Sequence, residues 1–334
     1  MKQYSVVIIG MGRMGRTRLK AMEKHGGYIV KAVCDSNAAN FDGYTVPCYT
    51  DWKECIDQEK PDAVIVCTVN SVIPDVVCYS IEQGHHVFAE KPPGKTLKDA
   101  LRMKETYLAN DKVVLKYGFN HRYHNSVIEA KSLIDSGFLG NIVAIRGVYG
   151  KAGDLEKNEW RNKVDVSGGG ILLDQGIHML DLIRYFAGDF EEVSGFTEHL
   201  VWRDAAGEDT AFATLRRGNE VVATLHSSAI QWKHKFDMDI VLTDGYIALN
   251  GLLTSTNSYG EEKITYYKKD LKNETGRMGN PTEYTLCFDE DFSWDYEMEE
   301  FYMALDGKES IKNGTIEDAV EVMRLIDRVY REEG

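Results

Sequence analysis

The first third of the chain alternates short, almost wholly apolar runs with stretches of helical periodicity. Runs this uniformly apolar predict strands that are buried on both faces. We place these strands at residues 4–9, 28–34, 63–68, 87–89 and 113–118, and a helix at 13–24. Strands that alternate with helices indicate βαβ units, so the pattern predicts a parallel sheet covered by helices.

The pattern changes near residue 120. Between residues 193 and 249, strand-length runs are separated by turn signals such as Asp244-Gly245, which predicts an antiparallel sheet. The other elements predicted here are a strand at 142–149, an irregular polar loop at 150–167, and helices at 126–136, 170–187, 294–305 and 316–331. The chain is therefore predicted to form an α/β domain over 1–122 with a parallel sheet, and a second α/β domain over 123–334 with a mostly antiparallel sheet.

The balance of charged residues indicates which kinds of molecule the protein is not expected to bind. Lys and Arg total 39 against 53 Asp and Glu, which gives a formal net charge of −14. Nucleic acids and anionic membranes need clustered positive charge, so we expect neither as a partner. The six cysteines have no zinc-ligand spacing, and the sequence shows neither a signal peptide nor an apolar run of membrane-spanning length. We therefore expect no metal site and a cytoplasmic location.

A glycine-rich turn follows the first predicted strand with the spacing GxGxxG. The first glycine permits a tight turn, the second lets backbone approach a pyrophosphate, and the third lets the next helix pack on the strand. The phosphates would then face unpaired N–H groups at the positive end of the helix dipole. A βαβ turn without a ligand is the alternative. The predicted cofactor residues of this turn are Gly10, Met11, Gly12, Arg13, Met14 and Gly15.

An acidic residue ends the second predicted strand, 20 positions beyond the last glycine of the turn. This residue is Asp35, and a carboxylate there accepts hydrogen bonds from a ribose 2′-hydroxyl and repels a 2′-phosphate. The sequence therefore predicts NAD as cofactor in preference to NADP.

Lys91 lies just after the fourth predicted strand, in the segment Glu90-Lys91-Pro92. The carboxyl ends of strands in an open α/β sheet are where ligands bind, so the lysine is aimed at the cofactor crevice. A lysine there donates to a substrate oxygen and stabilises an alkoxide as hydride leaves. The alternative is a solvated surface lysine beside a proline turn.

Three ionisable residues lie on one face of the helix predicted at 170–187. Asp174 and His178 are spaced i,i+4, and Asp181 follows three residues later. A histidine is the natural proton acceptor for an alcohol at neutral pH, and Asp174 could orient its ring or bind a second hydroxyl. A structural histidine and a metal site are the alternatives. The glycines at 168–170 would let backbone fold close to substrate or cofactor.

Together these motifs resemble the glucose–fructose oxidoreductase and inositol dehydrogenase family (Gfo/Idh/MocA). The resemblance covers nearly the whole chain and rests on GMGRMG at 10–15, VCTVN at 66–70, EKP at 90–92, GFNHRY at 118–123 and GGGILLDQGIHMLD at 168–181. It implies a Rossmann domain followed by an α/β domain with an open antiparallel sheet. It also implies NAD(P)-dependent redox chemistry on sugars, polyols or nucleotide sugars, and homodimers or homotetramers that form through that sheet.

The resemblance also implies roles for individual residues. Lys91 corresponds to the lysine of EKP, Asp174 to the substrate-binding aspartate and His178 to the proton-transferring histidine. The other predicted contacts are those of Thr68, Asn70, Glu90 and also Lys91 with the cofactor, of Arg122 with the nicotinamide or substrate, and of Trp160 and Arg161 with the substrate.

Two positions depart from the family pattern. Ile73 stands where a histidine often follows the third strand, and Arg16 and Arg18 lie near the place where a histidine often follows the glycine turn. Neither change touches Lys91 or His178. We therefore predict an enzyme that transfers a hydride between NAD(H) and a secondary alcohol or ketone of a sugar-like substrate. Two rivals remain, an enzyme of the same scaffold that recycles its NAD internally and a non-catalytic regulator that binds a dinucleotide or sugar.

Overall fold

The fold is taken from a computed structural model that describes residues 2–110, 112–153, 160–269 and 282–331. The chain forms two compact units that are discontinuous in sequence. The first contains residues 1–120, 163–168 and 294–324, and the second contains 121–162, 169–293 and 325–334. The division into functional domains at 1–122 and 123–334 stays a prediction, whereas contacts assign 294–324 to the first unit.

The strands of both units are named here in chain order. They are β1 Tyr4–Ile9, β2 Tyr28–Cys34, β3 Cys48–Tyr49, β4 Ala63–Val66, β5 His86–Glu90, β6 Leu115–Gly118, β7 Ile142–Ala152, β8 Glu192–Glu198, β9 Thr210–Arg217, β10 Val221–Ser228, β11 Ile230–Leu242, β12 Gly245–Asn250, β13 Glu262–Lys268 and β14 Tyr284–Phe288.

The helices follow the same convention. They are α1 Arg13–His25, α2 Trp52–Glu59, α3 Ile73–Glu82, α4 Leu97–Leu108, α5 Asn125–Asp135, α6 Val164–Ser167, α7 Ile177–Ala187, α8 Ser293–Leu305 and α9 Ile316–Arg331. A π-helical turn, Leu172–Gly176, precedes α7 directly, and a 3₁₀ turn, Asn120–Tyr123, precedes α5. No helix within the described ranges is both long and apolar enough to cross a membrane.

The first unit contains a fully parallel six-stranded sheet in the order β3-β2-β1-β4-β5-β6. Val6, Val7 and Ile8 of β1 are completely buried, as expected for a sheet with helices on both faces. The strand order reverses between β1 and β4, which is where folds of this order bind dinucleotides. The Rossmann fold predicted from the sequence is confirmed. Helix α8 adds Met298 and Phe301 to the core of this unit.

The second unit contains an eight-stranded sheet in the order β14-β13-β12-β11-β7-β10-β9-β8. All neighbours are antiparallel except β7 and β10, which are parallel, so the predicted mostly antiparallel sheet is confirmed. Buried and exposed positions alternate along β9 and β10. This alternation means that one face of the sheet packs on the core and the other faces outward.

The predicted loop at 150–167 is wrong at both ends. Strand β7 continues to Ala152 because it pairs with β10 on one side and β11 on the other, and Val164–Ser167 forms a short helix. Residues 154–159 of that loop lie outside the described ranges. Pairing between distant strands, which local sequence does not reveal, extends the strand beyond its apolar run.

Candidate active site

Two of the three motif glycines are required by close backbone packing. Gly10 has a φ of +98°, and a β-carbon there would lie 2.5 Å from the Cys67 carbonyl oxygen. A β-carbon at Gly15 would lie 2.0 Å from the Gly10 carbonyl oxygen, so a larger residue would force the helix away from the turn. Gly12 differs, because it is exposed and a β-carbon there would meet nothing within 4 Å. The surface at Gly12 is therefore open to an approaching ligand.

The N-terminus of α1 has the properties of a phosphate site. Its N-cap Gly12 supplies no side-chain cap, and its first turn carries no acidic residue. The N–H groups of this turn and the positive end of the helix dipole therefore favour an anion. Arg13 and Arg16 lie exposed in the first turns and add positive charge. These residues fit the pyrophosphate of a dinucleotide.

Asp35 is held beside the glycine turn by backbone hydrogen bonds. One carboxylate oxygen accepts the Met11 N–H at 2.7 Å, and the other accepts the Asn37 N–H at 2.8 Å. The side chain is half-buried, and each oxygen retains acceptor capacity for a further donor. This arrangement fits a ribose hydroxyl next to the phosphate site.

The segment after β4 is tied to residues 163–168 of the same unit. The Asn70 side chain is buried and donates to the Ser167 carbonyl at 2.6 Å, and the Ser71 N–H donates to the Val166 carbonyl at 3.1 Å. Thr68 is half-buried at the carboxyl end of β4. The amide of Asn70 thus orders this loop, and direct contacts of Thr68 and Asn70 with a cofactor stay predictions.

Glu90 belongs to a buried charge cluster that the sequence analysis missed. Its carboxylate accepts from the Arg18 Nε at 2.6 Å, and the same guanidinium lies 2.6 Å from a carboxylate oxygen of Glu297 on α8. Arg18 is fully buried over the ring of Phe88. Burial raises the pKa of Glu297 against the opposing effect of Arg18. The cluster fixes the carboxyl end of β5, and a cofactor contact of Glu90 stays a prediction.

Lys91 follows this cluster directly at the end of β5. It is half-buried, and the Lys91–Pro92 peptide bond is cis. The fully buried residues Phe88 and Ala89 precede it in the strand. The lysine therefore extends from a rigid strand end, the position that the sequence predicted for it.

The turn that begins the helix of Asp174 and His178 is held by Glu208 in the second unit. Glu208 accepts the Gly170 N–H at 2.7 Å, the Leu172 N–H at 2.9 Å and the Tyr330 hydroxyl at 2.9 Å. Burial raises the pKa of Glu208, and these hydrogen bonds oppose that rise. The carboxylate thus caps a helix start that otherwise has no side-chain cap.

The glycines before this helix are explained by contacts within the chain. A β-carbon at Gly169 would lie 2.3 Å from the Tyr330 hydroxyl, and one at Gly170 would lie 2.2 Å from the Glu208 carbonyl oxygen. Gly168 has a φ of +86°, which a side chain rarely adopts. The glycines were expected to make room for substrate or cofactor, but the atoms that crowd them belong to the protein.

Asp174 lies between two cationic side chains. One of its carboxylate oxygens is 3.0 Å from the Lys151 Nζ, and the other is 3.0 Å from the Arg161 Nε. Arg161 in turn stacks over the Trp160 ring, 4.2 Å from the centroid. The predicted residues Asp174, Trp160 and Arg161 are therefore together. Lys151 was missed because its strand was predicted to end at 149.

His178 is buried and lies flat against the ring of His121. The ring centroids are 3.7 Å apart with 16° between the planes, and His121 Nε2 lies 3.0 Å from the Tyr149 hydroxyl. All three side chains are at most 5 % exposed. Of these three residues only His178 was predicted from the sequence, although His121 stands in the GFNHRY segment at 118–123. Tyr149 and Lys151 are two residues apart in β7, so their side chains lie on the same face of the strand.

Arg122 makes a buried ion pair with Asp181. Its Nε and Nη2 atoms lie 2.8 Å and 2.6 Å from the two carboxylate oxygens, and the guanidinium stacks over the Tyr185 ring. A bidentate pair of this kind fixes the orientation of both side chains. Asp181 was grouped with Asp174 and His178 on one helix face, but its carboxylate is bound to Arg122. A substrate contact of Arg122 stays a prediction.

Comparison with known proteins agrees with this architecture. A family model described as an oxidoreductase family with an NAD-binding Rossmann fold matches residues 4–119, and a GFO/IDH/MocA C-terminal domain model matches residues 127–248. The chain belongs to the Gfo/Idh/MocA family. The resemblance inferred from the five motifs is thereby confirmed.

Several curated members of the Gfo/Idh/MocA family are similar in sequence. Levoglucosan dehydrogenase of Pseudarthrobacter phenanthrenivorans is 29% identical over 148 residues, which are 43% of this chain and 38% of that protein. D-glucoside 3-dehydrogenase of Escherichia coli is 31% identical over 207 residues, 58% and 56% of the two chains. Myo-inositol 2-dehydrogenase of Thermotoga maritima is 29% identical over 230 residues, 66% and 67%. The matches thus span less than two thirds of the first two relatives.

Solved structures of Gfo/Idh/MocA proteins share the fold over almost the full length. Levoglucosan dehydrogenase in complex with NADH and levoglucosan has a TM-score of 0.85 at 19% identity, with 99% of this chain and 96% of that chain covered. The WlbA dehydrogenase of Bordetella pertussis, in complex with NADH and UDP-GlcNAcA, has a TM-score of 0.81 at 19% identity with the same coverage. At 19% identity, this structural similarity shows that the proteins share a fold.

This member of the family differs at the position after the glycine turn. Near the place where the family often carries a histidine, Arg18 supplies a permanent charge to two buried carboxylates, Glu90 and Glu297. The second departure, Ile73, is fully buried at the start of α3 and contributes to the core. Both departures thus have packing or charge partners within the first unit.

Proposed function

We propose that the protein is an NAD-dependent dehydrogenase that oxidises a secondary alcohol of a sugar, polyol or nucleotide sugar, or reduces the corresponding ketone. One observation carries the proposal. The π-helical turn and α7, which follow one another directly, bear an ion-paired aspartate and a buried histidine in a chain that also has a dinucleotide-type glycine turn. This is the residue set that a hydride-transfer enzyme needs for proton transfer and substrate binding.

Three side chains divide the chemical work. Lys91 donates a hydrogen bond to the reacting oxygen and stabilises negative charge as it develops there. His178 accepts the hydroxyl proton, directly or through water. Asp174, held by Lys151 and Arg161, binds a neighbouring hydroxyl and fixes the substrate. NAD⁺, when bound by the glycine turn and Asp35, supplies the hydride acceptor.

NAD is proposed over NADP because of Asp35. Its carboxylate is fixed beside the phosphate site and would repel a 2′-phosphate. The substrate class is proposed from the relatives, whose names include levoglucosan, D-glucoside and inositol dehydrogenases. We also propose a reducing compartment such as the cytoplasm, since all six cysteines are free thiols.

Two other functions remain as rivals, and one assay separates them. An enzyme that recycles its NAD internally would form product without net NADH, and a regulator would bind ligands without turnover. The assay incubates the protein with NAD⁺ and a panel of inositols, aldoses and nucleotide sugars, and follows both NADH absorbance and product. We expect NADH and oxidised product in equal amounts.

Substitutions at Lys91 and His178 test the assigned roles. Lys91→Ala should lower kcat by about 10²–10³, the usual effect of losing one transition-state donor, and His178→Ala by about 10²–10⁴. Neither residue belongs to the phosphate or ribose site, so NAD binding measured by calorimetry should stay within about twofold. Wild-type turnover in either variant would contradict the assignment.

The pH profile adds a second test of His178. If this histidine accepts the proton, kcat/KM for oxidation should fall on the acid side as the ring becomes protonated. That acid limb should disappear or move in His178→Ala. An unchanged profile would transfer the proton-accepting role to another group or to water.

A further inference from the structure

The His121 ring has no part in the mechanism above, yet it makes the tightest ring contact of the candidate site. It lies 3.7 Å from the His178 ring at an angle of 16°, and its other contacts are edge-on or tilted. A flat stack between two imidazoles restricts rotation of each ring. Burial of both side chains leaves little space for either to move.

His121 is itself held from several directions. Its Nε2 lies 3.0 Å from the Tyr149 hydroxyl on β7, and its ring also packs against Phe236 on β11. The edge of His124 contacts it from the start of α5. Strands β7 and β11 are neighbours in the sheet, so this support is part of the rigid core of the second unit.

We propose that His121 is a positioning residue for His178, fixing the plane of that ring and coupling the protonation of the two stacked rings. The proposal rests on the proposed function, in which His178 accepts the substrate proton. Two imidazolium ions at this separation repel each other, and burial removes the water that would screen them. Protonation of one ring therefore opposes protonation of the other, and the two titrate as a coupled pair.

Other charged and titratable groups surround the pair and are mostly committed to partners of their own. His124 is paired with Glu262 at 2.8 Å, and Arg122 with Asp181. Asp174 is ion-paired with Lys151 and Arg161. Tyr149 and His124 contact the His121 ring, and Tyr149 also contacts the His178 ring. Behind them, Tyr259 contacts Tyr149 and Glu262 pairs with His124. The charges of these pairs contribute to the electrostatic potential at the stack, whereas the direct ring contact couples the protonation of His121 to that of His178.

Nuclear magnetic resonance of the full-length protein tests the coupling without turnover. Histidine labelled with ¹³C at Cε1 is titrated in the wild type and in His121→Phe, and the His178 signal is assigned from its absence in His178→Asn. We expect a His178 titration spread over two steps at least one pH unit apart in the wild type, and a single step in His121→Phe. Phenylalanine keeps the flat ring but cannot take a proton. Identical His178 titration in the two proteins would overturn the coupling.

Kinetics test the positioning. His121→Ala removes the ring and should lower kcat/KM by about ten- to a hundredfold, while His121→Phe keeps the stack and should remain within about threefold of the wild type in the pH range of full activity. Full activity in His121→Ala would overturn the positioning role.

His226→Phe serves as the matched control, because His226 also lies in a flat stack, on Phe212 with centroids 4.1 Å apart. It should change neither kcat/KM nor the His178 signal. Failure of the proposed function would show separately as wild-type activity in His178→Ala, since the resonance titration does not depend on catalysis.

Discussion

At the scale of single residues, the partners of each carboxylate decide its role. Asp35 accepts two backbone N–H groups, Asp174 binds two cationic side chains, and Glu90 lies in a buried cluster with Arg18. The sequence predicted chemistry for Asp35 and Asp174 from their place in motifs. It could not predict the partners Lys151 and Glu297, because folding brings them from distant segments.

Asp35→Ser tests the cofactor assignment. Loss of the carboxylate removes the repulsion of a 2′-phosphate, so the ratio of kcat/KM for NADP to that for NAD should rise by a factor that corresponds to about 1–3 kcal/mol, the scale of a charge-assisted hydrogen bond. Steady-state kinetics with both cofactors measures this ratio. A wild-type enzyme that already prefers NADP would show that the carboxylate has another role.

Asp174→Asn tests the substrate-binding assignment. The amide keeps the shape and one acceptor oxygen but loses the charge that holds Lys151 and Arg161. We expect KM to rise by about tenfold with a smaller change in kcat, because the residue binds substrate without taking part in proton transfer. A fall in kcat at unchanged KM would instead place Asp174 in the chemical step.

At the scale of elements, the helical segment that bears Asp174 and His178 shows which structural features can be predicted from the local sequence. A helix over 170–187 was predicted to begin at the triple glycine, and residues 177–187 of it form α7. The π-helical turn at Leu172–Gly176 was not predicted, since the carboxylate that holds its start, Glu208, comes 36 residues after Leu172. Motif spacing locates a site helix, whereas long-range hydrogen bonds determine how that helix begins.

Glu208→Ala tests this support. The Gly170 and Leu172 N–H groups would lose their acceptor in a buried setting, which should lower the free energy of unfolding by about 2–4 kcal/mol. Activity at a temperature where the variant is folded should also fall, because Asp174 and His178 lie on the same helix. Urea denaturation with Glu198→Ala as the exposed control measures the difference. Equal stability of the two variants would contradict the account.

At the scale of the whole molecule, the second sheet leaves an apolar face exposed. Phe196, Phe212 and His226 stack across three adjacent strands, and Val222 and Val241 are also exposed on this sheet. An apolar surface of this kind marks an interaction site, and the family resemblance implies homodimers or homotetramers through it. We predict that light scattering shows an oligomer at micromolar concentration, and that Phe212→Asp shifts it toward monomer. A wild-type monomer would contradict this.

The buried pair of His124 and Glu262 predicts a pH dependence of stability. Burial alone would raise the pKa of Glu262, but the hydrogen bond and charge of His124 and two backbone N–H donors outweigh it, so the net shift is downward. A carboxylate with a lowered folded-state pKa stabilises the protein above its unfolded value of 4.5, and this contribution is lost as the pH falls through the folded value.

Thermal melting of wild type and Glu262→Gln checks this expectation. The wild type should be more stable near neutral pH, and the difference should shrink below about pH 4.5 as Glu262 becomes protonated. A difference that stays constant across this range would show that the carboxylate charge contributes nothing.

Transfer of deuterium from substrate carbon to cofactor is the most direct test of the proposed activity. The best substrate of the sugar and polyol panel, deuterated at its reacting C–H, is incubated with enzyme and NAD⁺, and the reduced cofactor is examined by mass spectrometry. We expect one deuterium in each molecule of reduced cofactor and an equal amount of oxidised product. Product that retains the deuterium without accumulation of reduced cofactor, or no turnover with any member of the panel, would contradict it.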